Sequence, residues 1–94
     1  MDEITSELEK IKEEISTQFN AEIIGLFGSY VRSEQKEGSD LDILVRFNEG
    51  ASLFDYIGLA DFLEEKLQLK VDVVSERAVR PELRDQILKE VIML

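Results

Sequence analysis

Apolar residues recur at three-to-four spacing through the N-terminal segment. Ile4, Leu8, Ile11, Ile15 and Phe19 line one side, with Glu and Lys between them. That period predicts an amphipathic helix over 2–19 that covers one side of a sheet and has no chemical role. Residues 22–27 (EIIGLF) form a short apolar run ending at Gly28. Its length and β-branching predict a buried strand, and Gly25 within it predicts close backbone packing against a neighbouring element. Gly28-Ser29 breaks that strand, and one or two helical turns are expected over 30–34.

Residues 33–39 (SEQKEGS) are polar and read as a loop. Residues 40–47 (DLDILVRF) then alternate with period two. Leu41, Ile43, Val45 and Phe47 share one face, and Asp40, Asp42, Leu44 and Arg46 share the other. Asn48-Glu49-Gly50 is a turn. Ser52 and Asp55 match a capping box that opens a helix through about Leu67. Leu53, Tyr56, Ile57, Ala60, Leu63 and Leu67 are its expected buried stripe, and Gly58 is expected to mark close helix–sheet contact. Residues 70–75 (KVDVVS) read as a third strand. Asp72 shares the parity of Val74 and opposes that of Val71 and Val73. After a connection over 76–80, Pro81 suits the first turn of a final helix with Leu83, Ile87, Leu88, Val91 and Leu94 as its apolar stripe.

This order predicts a two-layer α/β (α+β) fold, with one domain over 1–94. A helical crossover makes two strands parallel, whereas the short connection between the first two strands suits an antiparallel pair. A small mixed sheet flanked by helices is therefore expected.

Composition removes several chemistries. Neither Cys nor His occurs in the 94 residues. A disulfide framework, a thiolate zinc site, a His base and a Ser-His-Asp triad are excluded within this chain. Eleven Lys and Arg against 21 Asp and Glu leave a net charge of −10. That argues against a nucleic-acid partner and against an anionic membrane surface. No apolar run is long enough to span a membrane, and the N-terminus is too acidic for a signal peptide, so a cytoplasmic location is expected.

What remains is carboxylate chemistry. Asp40 and Asp42 point the same way, about 6.6 Å apart at roughly 3.3 Å per residue, a spacing that suits two carboxylates on one cation or on two close together. A solvated strand end is the plainer explanation of the same pair. Asp72 is costly in mid-strand unless paired. It is a salt-bridge or edge position, or a third acid if its strand neighbours that of Asp42. Strand, Gly28-Ser29 and a helical turn make an anion site of free N–H groups, with Arg32 within reach. Clustered carboxylates repel, and Mg2+ bridging them to phosphate oxygens relieves this.

Gly28-Ser29, ten residues, then Asp40-x-Asp42 resembles the signature of the minimal nucleotidyltransferases, in the DNA polymerase beta-like superfamily. FGSYVR, SDLDILVRF, VDVV and RPELRDQILKEVIML extend the resemblance over most of the chain. It implies that Asp40 and Asp42 are metal ligands and that Asp72 is the third catalytic and metal-binding carboxylate. Gly28 and Ser29 would bind the triphosphate. Arg32 matches an often basic position, and Ser39, beside Asp40, is placed with the nucleotide-binding group. Tyr30 and Ser33 depart from the basic residue and the Gly common in the family.

The resemblance further implies Mg2+, ATP as co-substrate, and transfer of AMP to a hydroxyl. In the better understood systems that hydroxyl is a tyrosine of a HEPN-type toxin, and the nucleotidyltransferase is the antitoxin. With no second domain to hold an acceptor, a partner in a homo- or hetero-oligomer would present it. A binding module that covers its partner sterically, and a small-molecule nucleotidyltransferase, are the alternatives.

Overall fold

Helix α1 (Asp2–Phe19) buries Leu8 and Ile15 completely, with Ile4, Ile11 and Phe19 packed beside them. The predicted periodicity is thus the packed face. The computed structural model describes residues 2–28, 30–32, 34, 36 and 38–94. Asn20 turns the chain in the left-handed region (φ 52°) into strand β1 (Ala21–Phe27).

Strand β2 (Leu41–Phe47) runs antiparallel to β1 and parallel to β3 (Val71–Ser75). The mixed sheet is as expected. Helix α2 (Leu53–Leu67) makes the crossover between β2 and β3 and packs with α1 on one face of the sheet. Ser52 and Asp55 close the capping box at its start in both directions. Leu41, Ile43, Val45 and Val73 supply the sheet's half of the core, and Leu59 and Leu63 supply that of α2.

The α2 stripe differs from the periodic reading. Leu59 and Leu63 are buried, whereas Leu53 and Ile57 are 72% and 51% exposed and Phe54 is 86% exposed. Several apolar faces compete on this helix, and docking against α1 and β3 selects the one through Leu59. Gly58 lies against the Phe19 ring, where a Cβ would sit 3.0 Å from Cε1. Its close contact is helix to helix, not helix to sheet. Tyr56 is half-buried. It stacks on Phe47 with centroids 5.5 Å apart and donates its hydroxyl hydrogen to the Val73 carbonyl.

Of the one or two turns expected after Gly28, the described residues show one, over 30–32, closed by Arg32 N–H on the Gly28 carbonyl at 3.1 Å. One further expectation is corrected. At the other end, α3 (Pro81–Glu90) stops before Val91, and Ile92–Met93 form a fourth strand, β4, antiparallel to β1. The sheet order is therefore β3-β2-β1-β4. An unpaired β1 edge is a strong acceptor for the β-branched Val91-Ile92 segment. Gly25 makes the approach feasible, since a Cβ there would meet the Ile92 carbonyl oxygen at 2.3 Å. Leu94 accordingly packs on the core from the strand end, not from a helical stripe.

Candidate active site

Strand pairing brings the acids together. In the parallel β2–β3 pair Asp42 lies opposite Asp72, on the sheet face away from α1 and α2. Leu44, on that same face, is only 2% exposed, and it lines a pocket with Val79, Arg84, Ile87 and Leu88. This face is thus roofed in part by α3. Asp40 immediately precedes β2 and is exposed.

A bulge decides what stands beside the acids. The β1–β2 register shifts between Ile23 and Gly25, so Ile23 and Leu26 both face the core while Phe27 pairs with Asp42 on the other face. Gly28 follows, with φ +87°, and a Cβ on it would stand 1.9 Å from Asp42 Oδ2. Only a glycine lets the backbone approach that carboxylate so closely.

Asp42 is pushed up from 3.8 to about 6. Burial is the first cause, followed by the charges of Asp72 and Asp40 and hydrogen-bonding contact with Asp72; Arg32 opposes them. Close carboxylates in a half-buried place resist joint ionisation, which is the condition a divalent cation relieves.

Arg32 reaches the same region but is held by carboxylates. Nε–H donates to Glu34 at 3.0 Å and Nη1–H to Glu90 at 3.1 Å. Both raise its pKa, Glu34 more strongly. Phe27, Gly28, Arg32 and Asp42 form one wall of an open cleft of about 310 Å3, and Leu83, Gln86, Ile87 and Glu90 of α3 form the other. Ser39 is turned into its own loop: its hydroxyl accepts from Lys36 N–H at 2.8 Å and its N–H donates to the Lys36 carbonyl at 2.9 Å. Ser29 lies outside the described residues.

Residues 8–94 match the nucleotidyltransferase domain family. The chain belongs to that family. It is 44% identical over 92 residues to the protein adenylyltransferase MntA of Thermococcus cleftensis, covering 98% of this chain and 93% of the relative. It superposes with TM-score 0.77 and 40% identity on a solved structure assigned as a minimal nucleotidyltransferase, covering 97% and 95% of the two chains. A toxin–antitoxin complex solved with AMP-PNP superposes with TM-score 0.69 and 26% identity, over 90% of this chain and 70% of that one. The expectation of a minimal nucleotidyltransferase, in sequence and in fold, is borne out, and the chain is a nucleotidyltransferase.

A nucleotidyltransferase of this family works on a nucleotide with a divalent metal. The donor set here fits such an ion: oxygen only, with Asp42 and Asp72 side by side and the Asp42 pKa raised by burial and by the neighbouring carboxylates. Among the described residues no three acids converge in metal-holding geometry. The fit therefore rests on the pair, and one or two carboxylates plus substrate phosphates are what Mg2+ ordinarily takes. The α3 wall was not foreseen, because Leu83 and Ile87 read as ordinary helix stripe. The one sequence signal for it was Gly25, whose missing side chain admits β4 and so fixes where α3 ends. No helix of the described residues is long and apolar enough to cross a membrane.

Proposed function

We propose that this nucleotidyltransferase transfers AMP from Mg-ATP to a hydroxyl, a tyrosine, of a partner HEPN-type toxin in the cytoplasm, and serves as its antitoxin. The observation that carries the reading is the placement of Asp42 beside Asp72 with the Gly28 backbone against Asp42. The kinship to a protein adenylyltransferase supports AMP as the group moved. The likeness to a toxin–antitoxin complex with AMP-PNP supports a protein acceptor and ATP as donor. Residues 1–94 act as one domain, and the exposed Leu53, Phe54 and Ile57 suit contact with a partner rather than with solvent.

Asp42 and Asp72, with Asp40 at the rim, would hold Mg2+. Bound there, the ion would supply charge neutralisation on the triphosphate and orient it. Gly28 and Ser29 would bind the triphosphate, and Arg32 would meet it from the turn that begins at Gly28. The acceptor hydroxyl oxygen attacks the α-phosphorus, and the bond from that phosphorus to the α–β bridging oxygen breaks. Pyrophosphate leaves with the bonding pair. Asp72 takes the hydroxyl proton.

The test is label transfer from ATP with Mg2+, using the chain mixed with its co-purifying partner. Label entering the partner from the α-phosphate only, and lost in Asp42→Asn, is expected. Transfer from the γ-phosphate would replace this reaction with a kinase-like one. A tight complex without transfer from either position would leave steric cover as the function.

A further inference from the structure

The ion pair between Arg32 and Glu90 joins groups 58 positions apart across the cleft. Arg32 rises from the turn that begins at Gly28, to whose carbonyl its N–H donates. Glu34 accepts from Nε–H of the guanidinium and Glu90 accepts from Nη1–H. Nη2 has no acceptor among the described residues. A planar guanidinium held at two of its nitrogens presents the N–H donors of the third, Nη2, in a fixed direction, where a phosphate oxygen can accept a charge-assisted hydrogen bond. Arg32 is also the one cation among the described residues of the cleft wall.

Glu90 is well placed to give that grip. It is the last residue of α3, and Ile92 pairs with Leu26 on β1 immediately afterwards. Its backbone is thereby tied to the strand that leads into Gly28. Its side chain is the less exposed member of the pair. A carboxylate so anchored does not have to leave when a phosphate arrives, because Arg32 has donors to spare.

We infer that Glu90 is a positioning residue for the nucleotide: it holds Arg32 over the cleft so that Nη2 meets the phosphates. This rests on the reading above that the phosphates dock at Gly28. It opposes an equally simple idea, that Glu90 competes with phosphate for Arg32 and must be expelled, and the two predict opposite signs.

The experiment is calorimetric titration of AMP-PNP with Mg2+ into wild type, Glu90→Ala, Glu90→Gln, Arg32→Ala and the double variant Arg32→Ala/Glu90→Ala. Positioning predicts about five- to tenfold weaker binding for Glu90→Ala, near-wild-type binding for Glu90→Gln, which keeps an acceptor, and no added loss in the double variant. The KM for ATP should rise in parallel with kcat changed less than about twofold. Equal or tighter binding by Glu90→Ala, or losses that add in the double variant, would overturn the inference. The phosphate reading fails separately: Arg32→Ala would then bind like wild type, and the role of Glu90 would fall with it. Should Glu90→Ala not fold, Arg32→Lys is the substitute. It keeps the charge without the planar fork and should lose affinity; binding like wild type would overturn the inference.

Discussion

A Cβ placed on Gly28 would stand 1.9 Å from Oδ2 of Asp42, and Gly28 has φ +87°. The loop after β1 and the Asp42 carboxylate are therefore built against each other, and neither position can be changed without moving the other. Gly28→Ala should lose transfer activity at least about tenfold and destabilise the fold by about 1–2 kcal/mol, from the left-handed backbone alone. Label transfer and thermal unfolding check the two effects. A variant that keeps full activity would mean that the loop sits elsewhere when nucleotide is bound.

Asp42 carries a stability signature in pH. Its folded-state value is raised, from 3.8 to about 6. The protonated form is thus favoured in the folded protein. The associated stability is complete below the unfolded value and is lost as pH rises through about 6. Relative to Asp42→Asn, the metal-free wild type should weaken between about pH 4 and 6 and then run parallel. Since Asp42 is only half-buried, the gap should be modest, about 1 kcal/mol. Denaturant unfolding of both proteins across that range measures it, and a flat difference would mean that neither burial nor the charges of Asp72 and Asp40 act on Asp42 as the fold implies.

The same crowding predicts a response to divalent cations. Mg2+ with ATP should raise the melting temperature of wild type by roughly 10–20 °C, since a ligand present at 100 times its Kd adds about 2.7 kcal/mol. Asp42→Asn and Asp72→Asn should each lose most of that shift. Asp40→Asn, exposed at the strand end, should lose less. Equal loss in all three would place Asp40 as close to the ion as the paired acids.

Gly25→Ala tests the late strand. Its Cβ would meet the Ile92 carbonyl oxygen at 2.3 Å and Val91 Cγ2 at 2.7 Å. Backbone cannot give way as a flexible side chain does, so β4 should detach, at a cost of about 1–3 kcal/mol. Amide hydrogen exchange should rise at Leu94, whose N–H donates to the Ile24 carbonyl at 3.0 Å. Nucleotide affinity should fall together with it, because Glu90 would lose its anchor.

The cap of α2 offers a control remote from the cleft. Ser52 accepts from Asp55 N–H, and Asp55 returns the bond to Ser52 N–H at 2.9 Å. Ser52→Ala should cost about 1 kcal/mol. For a domain of this size that lowers the melting temperature by about 4–8 °C. Nucleotide affinity should not change.

Local features carried much of the reading. The α1 period, the alternation of β2, the capping box and the position of Pro81 are short-range consequences of side-chain direction and of unpaired backbone groups, so they are written in neighbouring residues. The paired aspartates were legible for the same reason: period two puts Asp42 on the face opposite Leu41 and Ile43 whatever the rest of the chain does. Asp72 was legible only as a mid-strand cost awaiting a partner. Arg32 was visible as a cation near Gly28, but not as one gripped by Glu34 and Glu90.

By itself the sequence determined where the first two helices and the first three strands run, which acids face away from the core, and that the chemistry rests on carboxylates. Tertiary structure alone decided the rest. It set Asp72 against Asp42 by choosing β3 as the parallel neighbour of β2. It turned Phe27 toward the site through a bulge that a continuous apolar run cannot announce. It also ended α3 at Glu90 so that β4 could pair with β1. Each of these depends on which edge or face is left free once the other elements have packed, a long-range competition that no local spacing records.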